Sequence, residues 1–188
     1  MPLFPIANIS SSKDPSTYLA LIAAAIVIET CLLINYRAFP NYWGNLINFV
    51  YTEFTLTVII IDILALLVCF SVSQQIYEFF YGHRNWSPML FIFILMSYQI
   101  YRNVFYFYLV PMFLSKGVNQ LFDVQTSIST SQVIKVVIGD IIIAIALPVL
   151  TGFIKTIYIS YQFDIIICGI YMICYILLNY PIPFIKAE

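Results

Sequence analysis

The sequence predicts an all-α integral membrane bundle, with about five transmembrane helices and one short interfacial helix, and three observations lead there. Of 188 residues, 62% are hydrophobic and 9% are charged, whereas about a quarter of an ordinary soluble chain is charged. Mean hydropathy is +0.95. The apolar residues also gather into runs of roughly 20, the length a helix needs to cross the hydrocarbon. The length accommodates about five such runs and no second domain, too few for a seven-helix receptor.

Residues 1–16, with Pro2, Pro5, Ser10, Ser11, Ser12, Lys13 and Asp14, read as a polar N-terminal tail without the charged start and small-residue cleavage site of a signal peptide. A single transmembrane bundle follows over residues 17–183, with a C-terminal tail at 184–188. The first span is expected at 17–36, ended by Arg37 and Pro40. Between Asn41 and Phe54 the apolar Trp43, Leu46, Ile47, Val50 and Phe54 recur at three- and four-residue steps, with Asn41, Asn45, Asn48 and Thr52 opposite. This pattern predicts a helix lying in the membrane interface, with Trp43 at headgroup level.

The second span is expected at 55–77. The polar turn around His83, Arg84 and Asn85 is short enough to force an antiparallel hairpin with the third, at 89–113. A long polar stretch from Ser115 to Gln132 precedes the fourth span at 133–158, with Ser129, Thr130 and Ser131 as N-cap candidates. The fifth is expected at 165–180, ended by Pro181 and Pro183. Five crossings place the two ends of the chain on opposite sides. Lys and Arg near the span ends divide three against three, so the charge rule assigns no orientation. Two sequons, at Asn8 and Asn85, sit too close to spans to be read as glycosylation sites.

A net charge of −1, with 8 basic residues spread along the chain, leaves no stripe for nucleic acid. There is one His, no phosphate-binding loop and no zinc spacing, so no catalytic residue, cofactor or metal site is expected. Cys31, Cys69, Cys168 and Cys174 contain no C-x-x-C pair and read as small packing residues. Lys155, near a span end, reads as a snorkelling side chain. The segment 57–64 echoes 135–142 at an offset of 78, aligning Asp62 with Asp140, a match that Ile/Val-rich helices also make without duplication.

The ionisable residues inside spans carry the functional argument. With the side reached after the first span called the far side, a rise of 1.5 Å per residue puts Glu29 about 10 Å from it, Asp62 and Asp140 about 11 Å, and Arg102 about 15 Å. Each costs about 2.5–3.5 kcal/mol to insert near a helix centre, so the four are expected to face inward and pair. Gln99, Arg102, Asn103 and Tyr106 form an i, i+3, i+4, i+7 seam that must face other helices. Asp62, Cys69, Ser73, Gln74 and Glu78 continue a line on the second span, and Asp140, Ala144, Thr151 and Lys155 one on the fourth. Two readings stand side by side: a structural polar core held by Arg102, or a net-negative site that binds a cation or passes a proton.

Asp62, then Gln99 with Arg102-Asn103 and Tyr106-Phe107, then Pro111, Gly117, Asn119 and Asp123, and finally Asp140 resemble a family of polytopic membrane proteins of nucleocytoplasmic large DNA viruses, the giant viruses. The resemblance covers residues 55–183. The family pattern has His-Asp where this chain has Arg102-Asn103. The 33 Ile against 10 Ala suit an AT-rich coding sequence. The resemblance implies a viral or virus-derived protein of a virion internal membrane or a host assembly compartment, and brings no enzymatic activity. The expected function is therefore structural: organising that membrane or anchoring the capsid to it. The alternative is a small proton or cation channel or transporter. Partners are expected to be the bilayer, a capsid or membrane protein and a second copy of the chain, with Lys116, Gly117, Asn119, Phe122 and Asp123 forming the docking loop.

Overall fold

The computed structural model describes residues 7–43, 49–51, 53–82, 86–105, 117, 123 and 133–179. Six helices are defined: α1 Pro15–Ala38, α2 Pro40–Trp43, α3 Thr55–Tyr81, α4 Pro88–Val104, α5 Val133–Lys155 and α6 Ile159–Asn179. No strand occurs among the described residues.

Four of these helices are long and apolar enough to cross a membrane, over Pro15–Ala38, Thr55–Tyr81, Lys135–Lys155 and Ile159–Asn179. The expected third span is described only as the 17 residues of α4, and its continuation to Phe113 lies outside the described residues. The observed helices also shift the expected ends. α3 runs four residues past Tyr77 because Gly82, at φ 66, supplies the cap by donating its N–H to Glu78 O. The fourth span stops at Lys155 rather than Tyr158, and α6 begins at Ile159, six residues early, after the tight turn at 156–158.

Local chemistry explains the starts. Asp14 caps α1, its side chain accepting from Ser16 N at 3.0 Å, with Pro15 at the first helical position. Ser87 and Pro88 repeat the device at α4. In α5, Pro148 interrupts the helix interior. It removes the N–H that would bond Ala144 O, and Thr151 Oγ1 bonds Leu147 O at 2.7 Å in the next turn.

α1 is the axis of the bundle, packed against α3, α5 and α6, while α4 joins α3 to α5 on the opposite side. The four helices α1, α3, α4 and α5 thus close a ring, and α6 lies outside it against α1. Helix α1 is apolar all round, as a central helix must be. Ala20, Ala23, Ala24 and Ala25 are all fully buried, small residues that let three neighbours come close. Gly169 does the same from α6, where an added Cβ would collide with Ile26. Gln162 of α6 ties down the end of α5 by donating to Ile154 O and Ile157 O.

Residues 7–14, part of the polar tail read from composition, are held against the bundle. They fold back across the near end of the ring as a strap, with Ile9 and Ser10 both 0% exposed. Gln74 Nε2 donates to Ile9 O at 2.6 Å and to Ser11 O at 3.3 Å. Ser12 Oγ donates to Glu78 Oε2 at 2.7 Å and Tyr18 OH to Ser12 O at 3.2 Å. Lys155, expected to snorkel, instead donates to Asn8 O and pairs with Asp14 Oδ2, both at 2.6 Å. Ile9 joins the larger core cluster with Tyr77, Phe91, Leu95, Leu147 and Ile154.

The expected interfacial helix is described only in part. Of residues 41–53, the described parts are α2, the helical residues 49–51 and Glu53. Val50 and Tyr51 are buried, and belong to the far-end core with Leu33, Val58, Ile59, Ile173 and Ile176. Tyr51 also has a carboxylate partner in the bundle, Asp62, and the rest of the expected interfacial helix lies outside the described residues. Trp43 is anchored to the protein too, donating from its indole to Asn35 Oδ1 at 2.7 Å.

Candidate functional site

Each wall of the ring contributes polar groups to one layer in its far half. Glu29 comes from α1, Asp62 and Cys69 from α3, Gln99, Arg102 and Asn103 from α4, and Asp140 from α5. α4 places its three by helical spacing alone: positions i, i+3 and i+4 share the face that packs on α3 and α5.

Asn103 is the connector. Its amide donates to Asp140 Oδ2, while its Oδ1 accepts from Arg102 Nη2 at 3.1 Å. Arg102 Nη2 lies 3.9 Å from Asp140 Oδ1, an open ion pair rather than a bidentate one. The other guanidinium nitrogen, Nη1, reaches Cys69 Sγ at 3.5 Å, a weak acceptor. Asp62 accepts from Tyr51 OH at 3.1 Å, and interacts electrostatically with both Arg102 and Asp140.

Glu29 stands apart in this network. It is 3% exposed, it lies within electrostatic reach of Asp62, and its Oε2 has no hydrogen-bond partner among the described residues. Gln99, equally buried, likewise has an Oε1 without a partner among the described residues. Buried polar atoms are rarely left so.

Glu29, Asp62, Arg102 and Asp140 are thus electrostatically linked, with Asn103 bonded between the last two. Of the expected lines flanking them, Cys69 joins the layer, but Ser73 bonds its own Cys69 O, and Gln74, Glu78 and Lys155 serve the strap. Cys31, Cys168 and Cys174 are exposed on the bundle exterior, so close packing accounts for Cys69 alone. In the expected docking loop, Lys116, Asn119 and Phe122 lie outside the described residues, as do Tyr106 and His83. Gly117, at φ 93, donates its N–H to Asp123 Oδ2 at 2.8 Å.

Tyr51 is the residue that sequence reasoning missed. It is one of 31 Tyr and Phe residues, and nothing local separates it from a packing aromatic. Its ring lies 4.7 Å from that of Tyr36. Tyr36 in turn is within electrostatic reach of Glu29 and Asp62, so two phenols border the acidic side of the layer. Among the described residues no three acidic, His or Cys side chains converge as a metal site.

No family model, curated protein or solved structure matches this chain.

Proposed function

We propose that this chain is a five-span membrane protein that takes up and passes protons through the carboxylate layer of its α1–α3–α4–α5 ring. The observation that carries this is the orphaned carboxyl of Glu29, buried on the central helix beside Asp62. An unsatisfied buried acceptor costs about 1–3 kcal/mol, and a proton donor reaching that oxygen would relieve the cost. A metal cation would need several convergent oxygen ligands, whereas a proton needs one lone pair. Carboxylate chains across helices are how pumps and transporters relay protons, and Asp62, Tyr51 and Asp140 extend such a chain from Glu29.

The test is flux. Purified protein in liposomes carrying a pH-sensitive dye should dissipate an imposed proton gradient, and Glu29→Gln and Asp62→Asn should each slow this at least tenfold. Dissipation no faster than in protein-free liposomes would overturn the reading. The five-span topology is tested separately, by labelling single cysteines placed in a cysteine-free background. Positions Ser12, Asn85 and Ser160 should be reached from one side, and Asn45, Lys116 and Lys186 from the other. The organising role on a virion or assembly membrane, with a capsid or membrane-protein partner, rests on the viral resemblance and the loop around Asp123. Localisation of the protein in purified virions tests it.

A further inference from the structure

A groove of about 520 Å³ opens between α3 and α4 on the outside of the ring. Its walls are Leu64 and Val68 from α3 and Tyr101 and Phe105 from α4, and each of the four is more than 40% exposed. Cys69 and Arg102 form the floor. The polar layer therefore has a side window, and Arg102 is the group that shows through it, its side chain 27% exposed against 17% for Asp140 behind it.

A guanidinium carries five N–H donors. Among the described residues Arg102 places two hydrogen bonds, one on the weak sulfur acceptor of Cys69 and one on Asn103. Asp140 accepts the Asn103 amide from behind and stands 3.9 Å away, so donors remain for whatever fills the groove. Facing hydrocarbon, an unsatisfied donor costs several kcal/mol. The volume falls within the ordinary 300–1,000 Å³ of ligand sites, and the lining has their usual form, apolar walls with few polar groups.

We propose that the α3–α4 groove binds a long-chain carboxylate, with its acyl chain along the apolar walls and its head on Arg102. Arg102 lines the groove, whereas Asp140 stands behind it and neither Asp62 nor Glu29 is in the lining, so the charge presented to the groove selects an anionic head. Its depth, about 15 Å from the far side, selects a small head on a single chain over a phosphodiester carrying two, and a carboxylate matches the planar guanidinium fork. This rests on the reading that α3 and α4 cross the bilayer, which the cysteine-labelling experiment decides independently of any ligand.

The test uses the full-length protein in phosphatidylcholine vesicles with a diazirine-bearing palmitate, its crosslinks mapped by mass spectrometry. Crosslinks should fall on α3 and α4, and labelling by the methyl ester of the same probe should be at least tenfold weaker. Arg102→Leu should reduce palmitate labelling at least tenfold. Leu64→Trp, which fills the groove and leaves Arg102 in place, should do the same, so the test survives if the arginine variant fails to fold. Equal labelling by the ester would show contact with the chain alone and overturn the proposal. So would competition by phosphatidic acid as effective as that by palmitate, labelling unaffected by Leu64→Trp, or no labelling of α3 and α4.

Discussion

At the near end of the bundle Lys155 and Asp14 stand 2.6 Å apart, and the same ammonium satisfies Asn8 O. In the polar layer Arg102 and Asp140 stand 3.9 Å apart. The chain can evidently build close ion pairs, and does so where the strap meets α5. The looser geometry of the layer is thus a property of that place. Close pairing fastens the strap at one end, while the ion pair of the layer stays open.

The sharpest way to break this comparison is Arg102→Leu. The layer loses its sole described cation, and removing one partner of a buried pair typically costs about 3–5 kcal/mol. Thermal unfolding in detergent should show the largest loss of any single change here, with partial recovery when Asp140→Asn is added, the non-additivity expected of groups in one network. Strict additivity would place the two residues in separate surroundings.

Next comes Lys155→Met at the other end. It removes two charge-assisted hydrogen bonds and should cost about 2 kcal/mol. A loss as large as that of Arg102→Leu would abolish the distinction between the regions. Gln74→Leu should cost less, about 1 kcal/mol, because the two strap bonds disappear together with the unpartnered Oε1 of the same side chain. Its signature is local: a cysteine at Ser11 should alkylate faster in the Gln74→Leu background while the melting curve moves little.

The smallest effect is one of pH. The hydrogen bond from Lys155 holds the Asp14 carboxyl well below the usual carboxylate range, helped by Ser16. A carboxylate with a depressed folded-state pKa contributes stability that is complete above its unfolded pKa, about 4, and is lost as pH falls below that. The melting temperature of the parent should therefore drop between pH 5 and 3 by more than that of Asp14→Asn, and the two should run parallel from pH 5 to 8. Parallel curves throughout would mean that the pair contributes nothing.

How much of this was legible in the sequence follows from the range of the interactions involved. The apolar runs of α1, α3, α5 and α6 are local, and so is the seam of Gln99, Arg102 and Asn103, since helical spacing alone sets which residues share a face. The strap was not legible. Residues 7–14 are polar in composition, and Ile9 and Ser10 are buried because Gln74 and Lys155, distant in sequence, supply donors to the strap's backbone carbonyls. Tyr51 was hidden for the same reason: its role is set by Asp62, eleven residues away across a turn of the chain. The span ends shifted because caps such as Gly82 act over single residues, below the resolution of a hydropathy run.

The strap also bears on the order in which the molecule is put together. Its contacts with Gln74 and Lys155 join residues 65 and 147 apart. Going from the shorter of these loops to the longer adds less than about 1 kcal/mol of closure entropy, so the delay is set by synthesis and not by thermodynamics. The segment leaves the ribosome before either partner exists, and its lysine anchor arrives only with the last turn of α5. The strap can bond Gln74 and Glu78 once α3 is made, but its anchoring is complete only after the last turn of α5.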